Sequence, residues 1–208
     1  MKSLVCFGDS NTWAYIPGSG GKRYPYEKRW TSVLAKEMGS GYNVIPEGLN
    51  GRTTVFEDPL TGNKSGLAHL DMVLTSHYPI DLLILMLGTN DLKERFNVTA
   101  SGIAKGMGRL VECVSKSNAG IDGAPPKLLL VCPPPILDAP VYREEFLEGV
   151  GKSAGLKKEY KKLSVTYGIP VCNACDYLSS SPVDGIHWTE EGHKIFGTGI
   201  AGIIREIV

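Results

Sequence analysis

No sign of charge prevails in this chain: Lys plus Arg number 22, Asp plus Glu 22, and the net charge is zero. Without an overall field nothing draws in nucleic acid or an anionic membrane, and neither is expected as a partner. Long apolar runs are also missing. The longest uninterrupted one, Leu82 to Leu87, falls far short of the ~20 residues that span a bilayer, so a soluble protein is expected. Cysteine is scarce and odd in number. Cys6, Cys113, Cys132, Cys172 and Cys175 do not make the even set of a secreted disulfide framework, which points to free thiols in a reducing compartment. Only Met1 to Phe7 precede Gly8-Asp9, too little for the roughly 7–15 apolar residues of a signal peptide and its cleavage site. A cytoplasmic location follows as an expectation. Asn97-Val98-Thr99 fits a glycosylation acceptor but means nothing without secretion.

Glycine, by contrast, is plentiful: 25 of 208 residues, with no G-X-Y period, which implies tight turns in a folded chain. The length suits one domain spanning 1–208. Short apolar runs at Leu4–Phe7, Tyr42–Ile45, Asp81–Leu87, Lys127–Cys132 and Ile169–Cys172 each end in a Gly, Asn, Pro or Asp cluster and read as buried strands. Between them, apolar residues recur at helical spacing. The sets are Trp30, Val33, Leu34, Met38; Leu67, Leu70, Leu74; Ile103, Met107, Leu110, Val111, Val114; Leu156, Tyr160, Leu163, Tyr167; and Ile195, Phe196, Ile200, Ile203, Ile204. Thr99 is placed to cap the third. Alternating strands and helices, with strands apolar on both faces, predict a three-layer α/β/α sandwich around a five-stranded parallel sheet. Ile16–Lys28 and Pro133–Gly155 lack periodicity and read as long loops, lids or subunit contacts.

Open α/β sheets bind ligands beyond the carboxyl ends of their strands. There stand Gly8-Asp9-Ser10-Asn11-Thr12, Gly48-Leu49-Asn50-Gly51-Arg52-Thr53, Gly88-Thr89-Asn90-Asp91 and Asp184-Gly185-Ile186-His187. A hydroxyl, a glycine N–H, a side-chain amide and an Asp/His pair are the parts of an acyl-transfer site. In this order the four blocks resemble those of the SGNH (GDSL-type) hydrolases, over residues 8 to about 192. Cys6–Tyr15, Glu47–Thr54 and Met86–Leu92 are most similar to the intracellular arylesterase and acyltransferase branch. The resemblance implies a flavodoxin-like sheet, Ser10 as nucleophile, Asp184 and His187 as its partners, and Ser10, Gly51 and Asn90 around the oxyanion. Two positions depart from the family pattern: Asn11 stands where the name has Leu, and Ala14 where Gly is usual. If the backbone at 14 needs a positive φ, Ala costs roughly 1 kcal/mol and shifts the turn near Trp13.

The chemistry also stands on the residues alone. A serine hydroxyl at neutral pH needs a base, His187; the base needs an orienter, and Asp184 lies three residues away. Asp9 and Asp91 read as structural, bonding nearby backbone amides. His69, His77 and His193 read as surface or helix-face residues. Gly151-Lys152-Ser153-Ala154-Gly155 matches a nucleophile elbow literally, but follows no strand. Cys172 and Cys175 lack the second pair a zinc site needs, and no metal or cofactor is expected. Trp13, Tyr15 and Trp188 are expected to line the substrate pocket. A small-molecule ester with a short acyl group is the expected substrate, with acyl transfer to alcohols besides hydrolysis. Thioesterase, lysophospholipase, carbohydrate deacetylase and non-catalytic binding readings remain open here. Tyr15, Tyr24, Tyr26, Tyr142 and Phe146 in and beside the long segments suggest a homo-oligomer.

Overall fold

The computed structural model describes all residues, 1–208. Five parallel strands, β1 (Lys2–Gly8), β2 (Tyr42–Gly48), β3 (Leu82–Met86), β4 (Lys127–Cys132) and β5 (Val171–Asn173), form one sheet in the order β2-β1-β3-β4-β5. The α-helices are α1 (Ser10–Trp13), α2 (Trp30–Met38), α3 (Gly66–His77), α4 (Ala100–Ser115), α5 (Gly149–Ala154), α6 (Leu156–Tyr167) and α7 (Glu190–Ile207).

Strand side chains alternate between two cores. Val5, Phe7, Leu83 and Leu85 pack with Leu70 and Leu74 of α3, Met107 and Leu110 of α4, and Tyr160 of α6. Leu4, Cys6, Leu82 and Ile84 face the other way, onto Trp30 and Leu34 of α2 and Phe196, Ile200 and Ile204 of α7. This is the three-layer arrangement of the sequence reading. Thr99 caps α4 by accepting from the Gly102 N–H at 3.1 Å, and Ser65 and Thr189 cap α3 and α7 in the same way. No helix is long and apolar enough to cross a membrane.

β1 runs Lys2–Gly8 instead of Leu4–Phe7 and β3 Leu82–Met86 instead of Asp81–Leu87, and three further differences have a backbone reason. β2 continues through Pro46 to Gly48, because an edge strand tolerates a residue without an N–H. β5 starts at Val171 instead of Ile169, since Pro170 cannot donate and only its carbonyl joins the ladder, accepting from Leu130 at 3.1 Å. The segment 133–155 is not all loop: Gly149–Ala154 is helical, too short and glycine-rich to show a period.

The chain leaves β1 for β2 on one side and then crosses to β3 on the other. The switch point between β1 and β3 opens a crevice at their carboxyl ends.

Candidate active site

Ser10 is the first residue of α1, directly beyond β1. Its helix turn is held by Asp9, which accepts from the Asn11 N–H at 2.9 Å. Burial pushes the Asp9 carboxyl up to about 6, against the opposing pull of that N–H and the charges of His187 and Arg52. The Ser10 Oγ lies 3.0 Å from His187 Nε2, and His187 Nδ1 lies 2.7 Å from Asp184 Oδ2. Asp184 further accepts from the backbone N–H groups of Ile186 (3.1 Å), His187 (3.0 Å) and Gly18 (3.0 Å). Burial alone would raise this carboxyl; the His187 hydrogen bond and charge and the two local N–H groups outweigh it and bring it down to about 2. These contacts hold Asp184 well below the usual carboxylate range, so it faces His187 as a carboxylate at neutral pH.

Asn11 has a part the sequence reading did not assign. Its Oδ1 accepts from the Trp188 N–H at 3.1 Å and its Nδ2 donates to the Ile186 carbonyl at 3.3 Å. One amide therefore grips the backbone on both sides of His187, which a leucine cannot do.

Gly51 and Asn90 line the same cavity as Ser10 and His187. Gly51 has φ +80°, the left-handed region that favours glycine, and its N–H makes no hydrogen bond within the protein. A Cβ there would meet only the Lys64 side chain at 3.5 Å, so conformation rather than crowding demands glycine. The Asn90 side chain donates to the Arg52 carbonyl at 3.1 Å, which fixes its amide and leaves its second proton without a protein acceptor. Asp91 accepts from the Thr54 N–H at 3.0 Å and from its hydroxyl; burial pushes its carboxyl up to about 6. It ties the β3 end to the turn after Gly51.

The sequence pattern of the GDSL-like Lipase/Acylhydrolase family matches residues 6–195. The chain belongs to this family. Among solved structures, the aryl esterase of M. smegmatis is 38% identical with a TM-score of 0.95, over 100% of both chains. A carbohydrate acetylesterase from Sinorhizobium meliloti is 41% identical with a TM-score of 0.95, again over 100% of both chains. A further carbohydrate acetylesterase family member from that organism is 36% identical with a TM-score of 0.94, over 100% of this chain and 99% of its own. Comparison with curated protein sequences gave no match. The protein is a carboxylic ester hydrolase of the GDSL-like, or SGNH, type.

In this SGNH hydrolase the cavity at Ser10 has a volume of about 150 Å³. Of the three aromatic residues expected in its wall, only Tyr15 is there. Trp188 is fully buried and packs edge-on against Phe196 at 5.0 Å in the α2/α7 core, because the residue after His187 turns inward to start the α7 cap. Trp13 lies outside the cavity with the Arg23 guanidinium 4.9 Å over its ring. The walls the sequence reading missed are Asn50, Lys93, Tyr142, Glu145, Phe146 and Ile186. Phe146, one of the aromatics from which self-association is expected, is buried, and it and Tyr142 turn toward the cavity.

His69 and His77 of α3 and His193 of α7 lie on helix faces, as expected, one of them on a buried face. His193 is not at the surface: it is fully buried, accepts from the Trp30 N–H through Nδ1 at 3.3 Å, and burial, with the His187 charge adding, lowers it to about 3. His77 is half-buried and meets the Glu47 carboxylate at 2.7 Å, a partner distant in sequence. His69 sits half-buried on α3. Ser153 is buried on α5, donating to the Val150 carbonyl and accepting from the Ile136 N–H, so it braces a loop. The ends of α1 also bear on Ala14, which adopts φ 74° and ψ 56°, the strained conformation that glycine would take freely. No group of three or more His, Cys, Asp or Glu residues is arranged to hold a metal ion.

Proposed function

We propose that Ser10 is the nucleophile of this esterase, that His187 takes its proton, and that Asp184 holds His187 in the tautomer whose Nε2 accepts from the serine. The observation that carries this reading is the unbroken series Asp184–His187–Ser10 at 2.7 and 3.0 Å. As Oγ bonds to the ester carbon, the carbonyl oxygen becomes an anion. The N–H groups of Ser10 and Gly51 and the free proton of the Asn90 amide receive it. The leaving alcohol takes the proton from His187, and water then attacks the acyl-enzyme by the same route in reverse.

A cavity of about 150 Å³, walled by Tyr15, Tyr142, Phe146 and Ile186, favours short acyl groups. The same apolar walls would hold an alcohol beside the acyl-enzyme, where it competes with water for the acyl group. An aryl or a sugar alcohol is the leaving group that the named relatives suggest. Five free cysteines support a cytoplasmic location. Exposed Val141, Leu147 and Val183 support self-association, with sedimentation as its test: a lone 22.5 kDa species at micromolar concentration would remove it.

Kinetics on p-nitrophenyl esters test the reading. Acetate should be cleaved faster than octanoate and palmitate, Ser10→Ala should abolish turnover, and benzyl acetate should form from vinyl acetate and benzyl alcohol in water. Faster cleavage of palmitate would refute the short-acyl claim, and ester product at the uncatalysed level would refute transfer.

A further inference from the structure

Residues 14–18 touch the acid–base pair at two points. The Tyr15 ring stacks on the His187 imidazole, centroids 4.2 Å apart and planes 18° from parallel. Three residues on, the Gly18 N–H donates at 3.0 Å to Asp184 Oδ2, the oxygen that also meets His187 Nδ1. Gly18 has φ +65°, and a Cβ there would come within 2.7 Å of the Val183 side chain, so conformation and a close neighbour both favour glycine. At its other end the left-handed Ala14 reverses the chain, and the Tyr15 N–H donates to the Ser10 carbonyl at 3.0 Å. From the distant segment after β4, Tyr142 presents its ring edge-on to the imidazole at 6.1 Å and its hydroxyl to that of Tyr15 at 3.5 Å.

A ring stacked on a neutral imidazole contributes packing. A ring stacked on an imidazolium also offers its negative face to a positive charge, an attraction that exists only while the charge does. The charge exists transiently here. When Ser10 Oγ bonds to the ester carbon, its proton passes to His187 Nε2, and the cation lasts until that proton leaves with the departing alcohol. An interaction confined to this interval lowers the barrier instead of tightening the resting state. The groups around the imidazole leave room for such a contribution. Asp184 supplies negative charge throughout, Asp9, pushed up to about 6, adds its own only above that pH, and His193, buried and depressed, stays neutral. Lys93 and Glu145, paired at 3.6 Å on the cavity wall, offset one another, and Arg52 faces Asp9. With His187 only 6% exposed, little water competes.

We infer that Tyr15 is a positioning residue of the hydrolysis, its ring face stabilising the His187 imidazolium and its hydroxyl tied to Tyr142 so that the two long segments close on the base together. This rests on the reading of His187 as the base.

The test keeps the shape of the ring and changes its charge distribution. Tyr15 is replaced by Phe, then by difluoro- and pentafluorophenylalanine incorporated during synthesis. Titration with a phosphonate ester counts competent Ser10 in each. With p-nitrophenyl acetate, kcat should fall stepwise from Phe to pentafluorophenylalanine by about three- to tenfold, with KM little changed. The acidic limb of kcat/KM should move to lower pH by roughly half to one unit, because a less stabilised cation forms only at higher proton concentration. If the pentafluoro variant is not labelled and has not folded, the step from Phe to the difluoro ring carries the same comparison. A flat series, with neither kcat nor the limb responding to fluorine, overturns the inference. His187→Ala run alongside separates the two levels. An inactive His187→Ala with a flat series removes Tyr15 alone, whereas an active His187→Ala removes the base assignment beneath it.

Discussion

Asn11 shows how much a single side chain decides at this site. Its amide bonds Ile186 and Trp188 on either side of His187, so Asn11→Leu should let the imidazole drift from its 3.0 Å contact with Ser10. A displacement near 1 Å is enough for a loss of roughly 10²-fold, and kcat/KM on p-nitrophenyl acetate beside a thermal melt would register it. Activity near the native level would leave the grip without consequence. Asn90→Ala removes the proposed oxyanion donor, and kcat should drop about 10²- to 10³-fold. His193 bears on stability instead. Between pH 6.5 and about 3 the unfolded chain binds a proton that the buried ring refuses, so acid destabilises the fold across that window. Asp9 and Asp91, pushed up to about 6, act in the opposite sense, regaining stability as pH falls below 6. The comparison must therefore be made against His193→Asn. From pH 6.5 downward, wild type should lose up to about 1.4 kcal/mol per pH unit relative to the variant in urea unfolding. A constant difference would contradict the burial argument.

The elements were legible wherever apolar spacing was regular. α4, with Ile103, Met107, Leu110 and Val114 on one buried face, and β3, buried throughout, were plain in the sequence. Prolines moved the limits of β2 and β5, and glycines hid α5. The strand-end turns carried Ser10, Gly51, Asn90, Asp184 and His187 because each block lies within a few consecutive residues. The opposite wall was hidden for the converse reason: Tyr142, Glu145 and Phe146 arrive from a segment with no period, and only the fold brings them over Ser10. Trp188 departs from expectation because adjacency to His187 says nothing about which way a cap turns. Ser153 tests whether context or motif decides. Ser153→Ala leaves the Ile136 N–H without its acceptor, so stability should fall by about 1–2 kcal/mol while esterase activity per folded molecule is kept. Loss of activity at unchanged stability would return the G-x-S-x-G motif to consideration.

At the scale of the molecule, the sheet order places the ends of β1 and β3 side by side, and the site forms there from turns that are far apart in sequence. Two long segments then complete it. Residues 14–18 hold Asp184 and His187, and residues 142–146 wall the cavity. The proposed hydrolysis turns on one covalent event, transfer of the acyl group to the Ser10 hydroxyl. Intact-mass measurement after treatment with a p-nitrophenyl phosphonate, followed by peptide mapping, tests it directly. One adduct per chain on the peptide holding Ser10, formed in step with loss of activity and absent from Ser10→Ala, is the predicted result. An adduct on Ser153, or full inactivation with Ser10 unmodified, would contradict it.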